Sequence, residues 1–150
     1  MLELAFYRGN GNNFDKLIRW WTDSDYSHVE IVINGVGYSS SPRDGGVRKA
    51  NINFGNGNWD MFEIPCTYLQ EEKIRLFFER EMWKKYDWLG IFLTQAIPIG
   101  TQDPLRWFCS EIAMAAFYHA EITTIENKPK WYSPEDMYRK IILKNDIIIQ

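Results

Sequence analysis

Two cysteines, Cys66 and Cys109, and two histidines, His28 and His119, are the residues of this chain whose types can pair for nucleophilic chemistry. A thiol attacks as its thiolate, and an imidazole beside it can take the proton and later return it to a leaving group. Geometry separates the possible pairs. His119 lies ten residues after Cys109 on one predicted helix. At the α-helical rise that is a separation of about 15 Å, so these two side chains do not meet. Cys66 follows Pro65 at the end of a predicted strand and has no activating neighbour in sequence, which reads as a small core residue. Cys109 stands where a loop passes into a helix, and the positive end of the helix dipole favours a thiolate there. A buried cysteine on an apolar helix fits the same position, so placement alone leaves both readings open.

His28 opens the β-branched segment HVEIVI, which runs into Asn34-Gly35, a strong hairpin signal. A strand would hold the ring as rigidly as a general base requires, although a structural histidine at a strand edge fits too. A third polar group normally orients the base, and the returning strand, Val36 to Ser41, offers Ser39, Ser40 and Ser41 in a row. A two-residue turn pairs Ile33 with Val36 and puts Ser39 and Ser41 on the histidine's face. One bulged residue would select Ser40 instead.

The remaining elements must carry these groups. Leu2 to Tyr7 reads as a strand, and the RGNGNN loop leads to a helix capped by Asn12 or Asn13, with Leu17, Ile18 and Trp21 on its buried face. After the hairpin, the RDGG turn precedes the strand VRKANINF, and GNGNWDMFEIPC supplies a further turn and strand. From Gln70 the character becomes helical, with Ile74, Phe77, Phe78 and Met82 on one face. Glu71 with Arg75, and Glu81 with Lys85, are expected i,i+4 pairs on the exposed side. The apolar run ending at Pro98, the loop GTQDP, the Ala-rich helix around Cys109 and a last helix starting at Ser133-Pro134 complete the chain.

The 150 residues suit one domain with one core, and no repeat or linker divides them. Hydrophobic residues at 45% and charged residues at 25% exclude disordered and low-complexity classes. A net charge of -3 without a basic block argues against nucleic acid as a partner. No apolar run approaches the ~18 residues of a transmembrane segment, and no export signal is visible, so cytoplasmic synthesis is expected. Two cysteines without C-x-x-C spacing give neither a disulfide framework nor a metal site, and no cofactor is expected. Seven tryptophans, Trp20, Trp21, Trp59, Trp83, Trp88, Trp107 and Trp131, serve either the core or a recognition surface.

Taken in order, the segments FYRGNG, LIRWWTDSDYSHVEIVI, GGVR, YDWLGI, FCSEI and SPEDMYR resemble the circularly permuted branch of the NlpC-type papain-like cysteine hydrolases, particularly the YiiX-like group. The resemblance runs nearly end to end. It implies an α+β fold, an antiparallel sheet packed against helices, with the strand histidine preceding the helix-borne cysteine. His28 and Cys109 match those positions, and the implied chemistry is cleavage or transfer of an acyl group through a thioester at Cys109. The implied partner is a peptide, isopeptide or acyl substrate, peptidoglycan peptide and lipid-like acyl chains included. A phage-encoded or virion-associated setting is a further implication. The family's third residue, on the strand after the histidine, is Glu, His, Asn or Gln, whereas this chain has Ser40 within YSSSP. A serine hydroxyl stabilises an imidazolium less than a carboxylate does, unless Glu30 or Asp44 supports the base. The alternative to an enzyme is therefore a weak or inactive papain-like binding module, or a component of a larger assembly. Tyr7 and Tyr26 are the expected substrate-flanking residues, with packing as their other reading. Glu111 is expected to be a structural hydrogen-bonding group.

Overall fold

The computed structural model describes residues 1–9, 11, 16, 19, 24–86, 106–123, 132–144 and 147 of the chain. The expected helix face of Leu17, Ile18 and Trp21 and the apolar run from Trp88 to Pro98 lie outside the described residues. Five strands make up most of an antiparallel sheet: β1 (Leu2–Tyr7), β2 (His28–Ile33), β3 (Val36–Ser41), β4 (Gly46–Asn51) and β5 (Trp59–Ile64). Two short strands, β6 (Lys85–Tyr86) and β7 (Arg106–Trp107), extend it to the order β5-β1-β2-β3-β4-β6-β7. Only the β6–β7 pairing is parallel among the described residues. Among the described residues the sheet is accompanied by α1 (Tyr68–Glu81), α2 (Cys109–His119) and α3 (Pro134–Met137), which continues as a π-helix over Tyr138–Leu143. The fold class is α+β.

The hairpin forms where the Asn-Gly signal places it. Asn34 and Gly35 adopt φ of 50° and 81°, the left-handed pair that a two-residue turn needs, and Ile33 pairs with Val36. Strand alternation then divides the residues of β1 and β2 between two faces. Leu2, Leu4, Phe6, Val29, Ile31 and Ile33 enter the core, in which Ile112, Met114 and Phe117 of α2 are also buried. Helix α2 packs on β2, β3 and α1 and is buried along its length from Cys109 to Phe117. His28, Glu30 and Val32 occupy the alternate positions of β2.

Helix α1 begins two residues earlier than the apolar periodicity suggests. Thr67 Oγ1 accepts from Gln70 N, while Gln70 Oε1 accepts from Thr67 N at 2.9 Å, a reciprocal capping box. Of the two expected ion pairs, Arg75 Nη2 to Glu71 is present at 2.7 Å. Glu71 is buried rather than exposed, and the N-terminal ammonium also reaches it at 3.1 Å. The Glu81–Lys85 expectation is corrected. The chain leaves the helix at Met82, Trp83 takes φ 71°, and Lys85 becomes a strand residue opposite Gly46. Glu81 instead pairs with Lys84 at 2.5 Å and Arg80 at 3.3 Å. Trp83 is 90% exposed, whereas Trp59 is half-buried on the sheet.

Candidate functional site

The site is assembled from the first residue of a helix and three neighbouring strands. β7 leads through Phe108 directly into α2, so Cys109 is the first helical residue. Glu111 fixes that start, its Oε2 accepting from Phe108 N at 3.1 Å, which is the structural role expected of it. Ser110 Oγ donates to the carbonyl of Tyr132, tying the same turn to the approach of α3. Cys109 is completely buried and interacts with His28 at the start of β2. His119, at the far end of α2, is exposed, and its ring meets Phe77 at a 40° tilt with 5.5 Å between centroids.

On its other side the imidazole meets a carboxylate. His28 Nε2 lies 2.7 Å from Glu30 Oε1, and the Glu30 side chain is fully buried. His28 and Glu30 are two apart on one strand, which puts both side chains on the same face. Arg48, on β4, grips the same carboxylate with two bonds, Nη1 to Oε2 at 2.7 Å and Nη2 to Oε1 at 2.5 Å. Its Nε donates to Asp44 Oδ2 at 2.8 Å. Cys109, His28, Glu30, Arg48 and Asp44 thus form a row in which acidic and basic groups alternate.

Electrostatics follow from that alternation. Burial by itself would depress the His28 imidazole, but attraction and hydrogen bonding to Cys109, and then to Glu30, outweigh it and push the group up to about 10. Burial would raise Glu30, yet its bonds and attraction to His28 and Arg48 hold it below the usual carboxylate range. The bond from Arg48 is also the main cause that lowers Asp44. An ionised Glu30 can only accept hydrogen bonds, so Nε2 of His28 must donate. A neutral His28 therefore carries its proton on Nε2, leaving Nδ1 as the basic nitrogen.

Two of the serines expected as third residues hydrogen-bond to other groups. Ser39 Oγ donates to the carbonyl of Val29 at 2.7 Å, and Ser41 hydrogen-bonds Asp44. Ser40 is fully buried opposite Val47 on β4, on the core side with Tyr38. The imidazole partner at Nε2 is Glu30, two residues further along the same strand. The H-x-E spacing on a strand was the available signal. Arg48 was not singled out in the sequence, since its meeting with Glu30 depends on the pairing of three strands.

Tyr7 is opposite His28 in the β1–β2 register and packs edge-on against Trp59 at 5.0 Å. The Trp59 ring lies 6.3 Å from the His28 ring, so these two aromatics neighbour the imidazole. Tyr26 has a structural environment: its ring contacts Phe6 and Tyr138, and its hydroxyl donates to Asp60 Oδ2 at 3.0 Å. Burial, followed by the Asp60 bond, raises its phenol above the ordinary range. Ser27, next to His28, is buried, and its hydroxyl has no hydrogen-bond partner among the described residues. No helix among the described residues is long and apolar enough to cross a membrane. No family model matches the chain, and no curated protein matches it.

Proposed function

We propose that this protein is a thiol hydrolase or acyltransferase of permuted papain-like arrangement, acting on an amide or ester through a thioester at Cys109. The observation that carries this reading is the placement of His28 between a cysteine at a helix start and a buried, ionised carboxylate. With the Cys109 proton already held on Nδ1 of His28, the sulfur adds to the acyl carbon. The imidazolium, held by Glu30, then gives that proton to the departing amine or alkoxide as the bond to it breaks. Water or an acceptor nucleophile, deprotonated by the same nitrogen, releases the acyl group and restores the thiol. The backbone N–H of Cys109, in the first turn of α2, is unsatisfied by the helix itself and supplies one oxyanion donor. Peptide, isopeptide and acyl-chain substrates all present the required carbonyl.

The test is intact-protein mass spectrometry after brief exposure to a panel of nitrophenyl esters and peptide amides. An acyl adduct mapped to Cys109, absent from Cys109→Ser, is the expected result. Turnover without an adduct in the wild type and undiminished in Cys109→Ser would overturn it. A panel that gives neither adduct nor turnover, with Cys109 no more reactive than Cys66, would favour the binding-module reading.

A further inference from the structure

The Glu30–Arg48 contact spans an entire intervening strand. β3 separates β2 from β4, and two strand spacings amount to about 9.6 Å of backbone separation. Two long side chains can close that distance only over small residues. At the crossing β3 provides Ser39, which is opposite Arg48 in register, and Gly37. A Cβ at Gly37 would lie 3.1 Å from Glu30 Oε2, 3.0 Å from Ile52 Cδ1 and 3.2 Å from Phe54 Cζ. The missing side chain therefore leaves room for the carboxylate and for the two apolar side chains beside it. The Ser39 hydroxyl is turned to the Val29 carbonyl. The run of small residues on β3, which looks like a set of candidate catalytic hydroxyls, is a trough.

What crosses the trough is a two-point fork. Three nitrogens of the Arg48 guanidinium are engaged, two by Glu30 and one by Asp44, and the side chain is 17% exposed. Asp44 is itself supported by Ser41, so the turn between β3 and β4 braces the fork. We propose that Arg48 is a positioning residue: crossing the Gly37–Ser39 trough and braced by Asp44, its fork fixes the Glu30 carboxylate on His28 Nε2. This rests on the thiol-hydrolase reading for its consequence in catalysis, although the positioning itself does not. A lysine would keep the charge but offer a single ammonium in place of a planar fork, so it would not fix both oxygens.

The experiment compares wild type, Arg48→Lys, Arg48→Met and Asp44→Asn, each confirmed folded by circular dichroism at the working temperature. Two quantities are read: the strongly deshielded His28 Nε2–H proton resonance, and the rate of Cys109 alkylation by iodoacetamide. Positioning predicts that the resonance is present in wild type, lost in both Arg48 variants, and weakened but retained in Asp44→Asn. Alkylation falls about 10- to 100-fold in Arg48→Lys, the scale expected when a reacting group is misplaced by about 1 Å. Retention of both resonance and rate in Arg48→Lys would overturn the proposal, leaving Arg48 only a charge. So would a resonance that persists in folded Arg48→Met, leaving it only a structural support. If the resonance behaves as expected but wild-type Cys109 reacts no faster than Cys66, the positioning stands and the hydrolase reading fails.

Discussion

Both cysteines stand beside the start of a helix, yet their surroundings differ in the sign of the neighbouring charge. Cys66 lies just before Thr67, the N-cap of α1, while Cys109 is the first residue of α2. For Cys66, burial and then the Glu71 carboxylate push the thiol up, with only partial opposition from the N-terminal ammonium. For Cys109 the partner is an imidazole that favours its protonated form. A helix start alone does not make a nucleophile. On the proposed reading the ionised group held next to it decides, and Glu30 and Arg48 hold that group.

The largest effect that would break the contrast is expected from His28→Ala. Loss of the general base should reduce Cys109-dependent turnover by about 10²- to 10⁴-fold and leave Cys66 reactivity unchanged. Stopped-flow acylation, with peptide mapping of both thiols, provides the check. Equal losses at the two cysteines would mean that the substitution acts through unfolding.

Glu30→Ala should have the largest effect on stability. Removing a fully buried carboxylate leaves the mostly buried Arg48 guanidinium without its fork partner, at a cost of about 3–5 kcal/mol. Urea titration of Glu30→Ala against wild type measures it. A cost below about 1 kcal/mol would place the pair in the class of solvent-screened surface bridges.

The charge row also has a pH signature. His28 is raised in the folded state from 6.5 to about 10, so its stabilising contribution is complete below its unfolded value and is lost as pH rises through the folded one. Glu30 is shifted down, so its contribution is present above the unfolded carboxylate value and is lost as pH falls through the folded one. The stability gap between wild type and His28→Ala should therefore be widest near pH 6 and shrink toward pH 10, as followed by urea midpoints. A gap that widens with rising pH would contradict the assignment.

The smallest effect sharpens the other half of the contrast. Glu71→Gln removes the carboxylate that disfavours the Cys66 thiolate, and Cys66 alkylation should quicken by about threefold or less. Cys66 should remain far slower than Cys109, because no imidazole replaces the lost acid.

Local chemistry was legible in the sequence and pairing across strands was not. Asn34-Gly35 announced the hairpin, although not which of two registers follows it, and Ser133-Pro134 announced the start of α3, with Ser133 Oγ accepting from Asp136 N. These features depend on residues two to four apart. Glu30 was visible as a support for His28, but its role depends on Arg48, 18 residues away across β3. The three serines drew attention through their hydroxyls, whereas Ser39 contributes by being small beside Gly37. The early end of α1 at Met82 was hidden because Trp83, a residue that rarely adopts positive φ, takes 71° there.

The most direct test of the central claim is the pH dependence of iodoacetamide alkylation at Cys109, with Cys66 as the internal reference in the same molecule and His28→Ala alongside. An activated pair predicts that Cys109 is modified readily near about pH 6, where an ordinary thiol is almost wholly protonated, and that His28→Ala abolishes this advantage. Matching profiles for the two cysteines in wild type, both rising only in the alkaline range, would contradict it.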